Sequence, residues 1–136
     1  MSNMLRITDG ASLAFHTMAF LVQSPGRWIS TREIASELGV SENHLAKVCQ
    51  RLAKAGLVES VRGQGGGFRL AKSPAEITLL EVYEAIEGVL KPIDCFLGKP
   101  VCQRSKCIFG NLIHSVNTQV KEYLASTTLD YLCCKS

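Results

Sequence analysis

The chain has 136 residues, 46% of them apolar and 20% charged, which is enough for one hydrophobic core with an appendage. Its longest apolar stretch, residues 12–22, is too short to span a bilayer, and the first ten residues lack the basic and apolar runs of a signal peptide. The net charge is +3, and these features together exclude a membrane-spanning helix and predict a soluble, cytoplasmic protein.

The positive charge is concentrated in the N-terminal half of the chain. Residues 1–74 contain nine Lys and Arg against five Asp and Glu, a net charge of +4, whereas residues 75–136 carry a net charge of −1. A basic half is typical of proteins with a polyanionic partner such as nucleic acid.

Three helices are predicted in the first part of the sequence. The first runs from about Asp9 to Gln23 and is apolar on most sides, so it should be buried on more than one face. A capping box over Ser30–Glu33 opens the second helix, which ends at Gly39. Ser41 caps the third, which ends at about Lys54. The third helix has an inward apolar face made of Leu45, Val48, Cys49 and Leu52.

Two short strands follow, over Leu57–Val61 and Phe68–Ala71. The segment Arg62–Gly67 between them is rich in glycine, which permits a tight hairpin tip and positive φ angles. Helix, tight turn, second helix and hairpin is the order of a winged helix-turn-helix. The predicted fold is therefore mainly α with a small β-hairpin wing, over residues 1–74.

Residues 75–136 are predicted to form a second part. A capping box over Thr78–Glu81 opens a linking helix that ends at about Glu87, and a segment at about 91–107, the cysteine loop, follows. The final helix runs from about Ser105 to Leu124 and is interpreted as a long C-terminal dimerisation helix, the alternative being a helix folded onto its own domain. Its apolar stripe consists of Phe109, Leu112, Ile113, Val116, Val120, Tyr123 and Leu124.

The face of the third helix opposite its apolar stripe is polar, with Asn43, Lys47, Gln50 and Lys54 spaced four, three and four apart. Such groups on a helix can read base edges in a major groove, and arginines beside a wing can meet phosphates. The alternatives are a merely solvated face, a protein–protein module, or a nucleotide-phosphate loop, which is disfavoured because no helix follows it. The candidate DNA-binding residues are Ser41, Asn43, His44, Lys47, Gln50, Arg51, Arg62 and Arg69.

Six cysteines in a chain without an export signal indicate metal or redox chemistry rather than structural disulfides. Cys95, Cys102 and Cys107 follow a C-x6-C-x4-C pattern, and three thiolates within thirteen residues can surround an iron–sulfur cluster or a zinc ion. Cys49 is predicted to be a core residue, and Cys133 and Cys134 to be tail thiols rather than ligands.

The segments Ile34–Val48 and Leu52–Ala71 resemble the Rrf2 family of bacterial regulators, which includes iron–sulfur, nitric oxide, redox and cysteine-metabolism sensors. The resemblance covers the chain from Leu5 to about Leu124 and is most specific over residues 55–71. It implies a homodimer crossed by long C-terminal helices and bound to an imperfect palindrome in double-stranded DNA. The positions that match the family's DNA contacts are Ser41, Asn43, His44 and Arg62.

The resemblance extends to the cysteine loop, because cluster-binding members place three cysteines there. The middle cysteine is offset by one from the common C-x5-C-x5-C form. The resemblance thus implies a [2Fe-2S] or [4Fe-4S] cluster held by Cys95, Cys102 and Cys107. His16 falls where one redox-sensing relative supplies a histidine and is the predicted fourth ligand. The other candidates are Asp94, His114 or solvent, and His16 can alternatively be a hydrogen-bonded interface histidine.

The predicted function is that of a sequence-specific DNA-binding transcriptional regulator, not an enzyme, whose DNA affinity is controlled by an iron–sulfur cluster. One alternative is a regulator that uses reversible thiol/disulfide chemistry without a metal. A distant alternative is a metal-dependent enzyme or electron carrier, although the sequence contains no Ser/His/Asp order, paired carboxylates or phosphate-loop motif.

Overall fold

The computed structural model describes residues 7–91 and 108–132. The described elements confirm a mainly helical fold with a two-stranded hairpin. In chain order they are α1 (Asp9–Val22), α2 (Thr31–Leu38), α3 (Glu42–Lys54), β1 (Val58–Val61), β2 (Gly67–Leu70), α4 (Leu79–Glu87) and α5 (Leu112–Ser126), with 3₁₀ turns at Pro74–Glu76 and Leu129–Leu132. None of these helices combines the length and apolarity needed to cross a membrane.

Side-chain caps define most helix starts. Thr78 and Glu81 form the complete capping box that the sequence predicts. At α2 only half of the predicted box is present: Ser30 Oγ accepts from the Glu33 amide at 3.0 Å, but the Glu33 carboxylate binds the Arg27 guanidinium at 3.3 Å. The guanidinium is the partner of this carboxylate because two opposite full charges attract more strongly than a carboxylate and a neutral amide.

The hairpin that forms the wing is antiparallel, with Val58 opposite Leu70 and Val61 opposite Gly67. Ile29, just before α2, adds a one-residue rung on the other edge of β2 by exchanging two backbone hydrogen bonds with Phe68, of 2.9 and 2.8 Å. The sequence does not predict this rung, since one residue in extended conformation leaves no periodic pattern. The rung fixes β2 of the wing to the segment before α2.

One hydrophobic core joins the helices and continues beyond position 74, where the sequence predicts the boundary between two parts. It includes Met18 and Leu21 of α1, Leu45 and Leu52 of α3, and four residues from the second part of the chain: Ile77, Val82, Ile86 and Leu129. Helix α4 is therefore packed into the same core as α1 and α3.

Helix α5 differs from its prediction. It begins at Leu112 and not at about Ser105, since residues 108–111 form turns and Gly110 has a left-handed φ of +59°. It packs against α4, and Ile113 is its buried residue. After α5 the chain returns to the core: Thr128 pairs with Thr78, and Leu129 is 1% exposed. No pattern in the sequence predicts this return.

Candidate nucleic-acid interface and cysteine loop

Helix α3 presents one apolar and one polar face, as predicted. Leu45, Val48, Cys49 and Leu52 are buried, and the opposite face is exposed. Ser41 is the N-cap, and its Oγ accepts from the His44 amide at 3.0 Å. This hydroxyl retains its own O–H for a donor role. The exposed predicted residues on α3 are Asn43, His44, Lys47, Gln50 and Arg51.

A cleft of about 470 Å³ lies between α3 and the wing and brings Gln50 and Arg62 to one surface. Thr31, in the first turn of α2, and Ser60 on β1 also line it, and neither was among the DNA-binding residues predicted from the sequence. The capping box at Ser30 was the available signal, because the first amides of a helix lack intrahelical partners and attract anions. The cleft thus joins α2, α3 and the wing, and its lining mixes polar side chains such as Gln50 and Arg62 with apolar ones such as Val61 and Phe68.

Among the described residues, four basic side chains of the N-terminal half have no acidic partner. They are Lys47, Arg51, Lys54 and Arg62, of which Arg51 binds a backbone carbonyl instead. The other four described basic residues of this half have acidic partners within 4 Å: Arg27 with Glu33, Arg32 with Glu42, Arg69 with Glu59 and Lys72 with Glu81. The net positive field therefore arises mainly from α3 and the wing tip.

Two predicted DNA-binding arginines bind groups of the protein itself. Arg69 Nε donates to Glu59 Oε1 at 2.9 Å, and its guanidinium lies 4.2 Å from the centre of the Trp28 ring. Arg51 Nη1 donates to the Ile86 carbonyl at the end of α4, at 2.8 Å. The structure thus brings Gln50 and Arg62 together with the polar α3 face, and directs Arg51 and Arg69 to partners elsewhere.

Three of the four predicted cluster ligands, Cys95, Cys102 and Cys107, lie outside the described residues. Among the described residues, no three His, Cys, Asp or Glu side chains are grouped so that they could hold a metal ion. His16 is exposed on α1, and its Nδ1 is 2.7 Å from the Ser12 carbonyl. Because a carbonyl only accepts, Nδ1 is the donor, and in the neutral ring Nε2 keeps its lone pair.

Cys49 is a core residue, as predicted. It is 0% exposed, and burial raises the pKa of its thiol to about 12. A thiol that stays protonated is a poor nucleophile and a poor metal ligand, so Cys49 is not a candidate for the metal or redox chemistry proposed for the cysteines of the loop.

Comparison with known proteins agrees with this fold along almost the whole chain. Residues 7–135 match the Rrf2 family, described as iron-dependent transcriptional regulators. The HTH-type transcriptional regulator NsrR of Bacillus subtilis is 33% identical over 123 residues, which cover 89% of this chain and 83% of NsrR. The structure of CymR, the global cysteine regulator of B. subtilis, is similar with a TM-score of 0.78 and 32% identity, covering 95% of this chain and 96% of CymR.

The T. potens IscR structure is also similar, with a TM-score of 0.70 and 27% identity, covering 93% of this chain and 84% of IscR. NsrR and CymR are named as regulators and not as enzymes, in agreement with the function expected from the sequence. The family match over residues 7–135 and the winged helix-turn-helix with its basic α3–wing surface show that this chain belongs to the Rrf2 family of DNA-binding transcriptional regulators.

Proposed function

We propose that the chain binds an imperfect palindrome in double-stranded DNA as a homodimer, with α3 of each protomer in a major groove and the wing beside it. The observation that carries this proposal is the position of the unpaired cations. Gln50 and Arg62 line one cleft and Lys47 is exposed one turn before Gln50, and within the described chain neither cation has an acidic partner within 4 Å. The polar side chains of α3 can hydrogen-bond to base edges, and the cations can bind phosphates.

The homodimer is supported by the apolar surface of α5 and the turn before it. Ile108 is 78% exposed, Leu112 50% and Tyr123 56%, and Phe109 is also exposed. Apolar side chains along one helix are typical of a surface that a second helix covers. A second copy of this chain supplies a matching helix, and two-fold symmetry would set two α3 helices on two half-sites.

We further propose that Cys95, Cys102 and Cys107 hold an iron–sulfur cluster, with His16 as the fourth ligand. Three thiolates within thirteen residues are the donor set that iron–sulfur clusters prefer, and the family description names iron. The hydrogen bond from His16 Nδ1 to the Ser12 carbonyl is the outer contact that commonly orients a ligating imidazole and leaves Nε2 for the metal. When bound, the cluster supplies an iron–thiolate centre that responds to oxidants, nitric oxide and iron supply.

The test of the cluster is anaerobic purification followed by iron and sulfide analysis and absorption spectroscopy. We expect a coloured protein with stoichiometric iron and sulfide, and Cys102→Ala should lose both while its far-UV circular dichroism stays that of the parent. Cys133→Ala is the matched control and should keep the cluster. A colourless parent protein without iron or sulfide overturns this part of the proposal.

The DNA surface is tested with a duplex selected by the protein from a random-sequence library. Arg62→Ala should weaken binding about tenfold and reduce the slope of log K against log salt concentration by about 0.9, because one phosphate contact is lost. Its iron content should not change. Lys121→Ala, an exposed lysine of α5 away from this surface, should bind as the parent does. Equal binding by Arg62→Ala and the parent would remove the wing from the interface.

The second candidate is a regulator switched by thiol oxidation without metal. The similarity to CymR, a cysteine regulator, at a TM-score of 0.78 favours this alternative. It predicts that iron-free protein changes its DNA affinity on treatment with peroxide and recovers on addition of a thiol reductant. Such a response in protein that never contained iron would replace the cluster as the controlling group.

A further inference from the structure

Three hydrogen bonds meet near the C-terminal end of α4, where the chain approaches the cysteine loop. Arg51 Nη1 of α3 donates to the Ile86 carbonyl at 2.8 Å. The Leu90 amide, at the entrance to the loop, donates to the Glu84 carboxylate at 3.0 Å. The hydroxyl of Thr8, the N-cap of α1, donates to the Glu87 carboxylate. The end of α4 is therefore joined to α3, to α1 and to the segment that leads into the loop.

The acceptor of Arg51 is a carbonyl of the last turn of α4. The last four carbonyls of a helix have no intrahelical partner, and a cation is favoured there by the helix dipole. The Arg51 guanidinium meets both conditions at Ile86, and Arg51 lines a cleft of about 340 Å³ between α3 and α4 together with Lys54 and Glu84. Among the described residues, this is the one side-chain hydrogen bond from α3 to α4.

Arg51 also adjoins the DNA-facing side of α3. It directly follows Gln50, which lines the cleft beside the wing, and it lies one turn after Lys47. A shift of the α4 end would therefore act on the half of α3 that carries Lys47 and Gln50. The path from the loop entrance runs from Leu90 to Glu84, along the last turn of α4 to Ile86, and across to Arg51.

We propose that Arg51 is a positioning residue that couples the state of the cysteine loop to the orientation of the recognition helix α3, and that it does not contact DNA phosphate. This inference rests on the proposed function, in which the loop has two chemical states. The physical basis is that a change in the loop displaces Leu90 and the end of α4, and the hydrogen bond at Ile86 transmits this displacement to α3.

A phosphate contact and a positioning role give different results in a salt titration. A residue that neutralises one phosphate contributes about 0.9 to the slope of log K against log salt concentration. A positioning residue contributes nothing to this slope, and its removal changes the ratio of DNA affinities between the two loop states. The two quantities can be measured on the same protein sample.

The experiment compares the parent, Arg51→Met, Arg51→Lys and the control Lys54→Met. Lys54 lines the same cleft as Arg51 but forms no described hydrogen bond to α4. The affinity of each protein for the duplex selected by the parent is measured at several salt concentrations, once anaerobically with iron present and once after chelation. Amide hydrogen exchange of α3 is followed in both states without DNA.

We expect Arg51→Met to keep the parent's salt slope and to reduce the affinity ratio between the two states about fivefold or more. The difference in α3 hydrogen exchange between the states should vanish in Arg51→Met. Arg51→Lys should restore part of the ratio because the ammonium can still donate one hydrogen bond. Lys54→Met should have the parent's ratio of DNA affinities between the two states, whether or not its salt slope differs from that of the parent.

A slope reduced by about 0.9 in Arg51→Met, with an unchanged affinity ratio, would identify Arg51 as a phosphate contact and overturn the inference. An unchanged slope together with an unchanged ratio would overturn it as well. A parent protein with equal DNA affinity in both states would overturn the proposed control of DNA binding, and the inference with it. The two affinities of the parent therefore test the proposed function, and the comparison of the parent with Arg51→Met tests the role of Arg51.

Discussion

The Arg69 guanidinium lies over the ring of Trp28, 4.2 Å from its centre, while its Nε is bound to Glu59 at 2.9 Å. Trp28 is next to Ile29, which pairs with Phe68 of β2, so this stack braces the hairpin against the segment before α2. Because the Arg69 guanidinium already contacts a carboxylate and an aromatic ring, its charge is partly compensated and it is less available to a phosphate. The predicted DNA contact at Arg69 is thus a proposal that competes with a structural role.

We expect Arg69→Met to lower the free energy of unfolding by about 1 kcal/mol, since the cation–π contact and the half-exposed ion pair each contribute a fraction of that. Urea unfolding followed by fluorescence measures it directly, because Trp28 is the single tryptophan of the chain. The emission of the folded variant should also change. Glu59→Gln, which keeps the stack, should cost less. A smaller salt slope in DNA binding by Arg69→Met would instead support a phosphate contact.

Gly67 is required by the contact between the wing and the segment before α2. Its φ is +141°, and a Cβ there would lie 2.2 Å from the Ile29 carbonyl oxygen. Because that neighbour is backbone, Gly67→Ala must displace the rung between Ile29 and Phe68. We expect a loss of about 2 to 4 kcal/mol in unfolding free energy, from overpacking and backbone strain together.

Gly65→Ala is the matched control, measured by the same urea titration. Gly65 also has a positive φ, of +79°, but a Cβ there meets no atom within 4 Å. The substitution should therefore cost only the strain of a left-handed alanine, about 1 kcal/mol. Equal losses for the two variants would mean that the contact with Ile29 contributes nothing to the wing.

Local signals allowed much of this fold to be predicted, and the failures were contacts between distant segments. The polar face of α3 followed from the spacing of Asn43, Lys47 and Gln50, and the wing followed from its glycines. By contrast, the Arg51 hydrogen bond joins residues 35 positions apart. A polar residue on a helix surface looks the same in sequence whether it meets DNA, solvent or a neighbouring carbonyl, so its partner could not be predicted.

The start of α5 was misplaced for a related reason. The apolar stripe begins at Phe109 in the sequence, but Gly110 turns the chain with a left-handed φ, so Phe109 precedes the helix. The return of Leu129 to the core had no periodic signal, because it involves one side chain and a single bridge between Thr128 and Thr78.

The buried thiol of Cys49 predicts a pH dependence of stability. Its pKa is raised from 9.0 to about 12 in the folded chain, so above pH 9 the unfolded thiol releases its proton while the folded one retains it. The contribution of Cys49 is therefore complete below pH 9 and declines by about 1.4 kcal/mol per pH unit between pH 9 and 12. Urea unfolding of the parent and of Cys49→Ala across this range gives the difference.

The Cys49→Ala variant should show a shallower decline above pH 9, because it lacks this thiol. Iodoacetamide at pH 8 should not alkylate Cys49 in the native protein but should alkylate it in the unfolded protein. Mass spectrometry of the peptide that contains Cys49 measures the difference. Rapid alkylation of Cys49 in the folded state would contradict the burial on which both expectations rest.

Leu129 ties the end of α5 to the winged domain, and its removal tests that connection. The side chain is 1% exposed within the core, its amide donates to the Ile77 carbonyl at 3.0 Å, and the Leu79 amide donates to the Thr127 carbonyl at 2.9 Å. Leu129→Ala should lower the unfolding free energy by about 2 to 5 kcal/mol, because a cavity replaces the side chain. Thermal unfolding by circular dichroism measures the loss.

Tyr131→Ala is the comparison for that loss, because Tyr131 lies two residues further along and is 71% exposed. It should change stability by no more than about 0.5 kcal/mol. The backbone pairing of residues 127–129 with residues 77–79 survives in both variants, so the difference between them isolates the apolar contact of Leu129. If Leu129→Ala proved as stable as Tyr131→Ala, the C-terminal return would be held by its backbone bonds alone, and α5 would be anchored to α4 without the core.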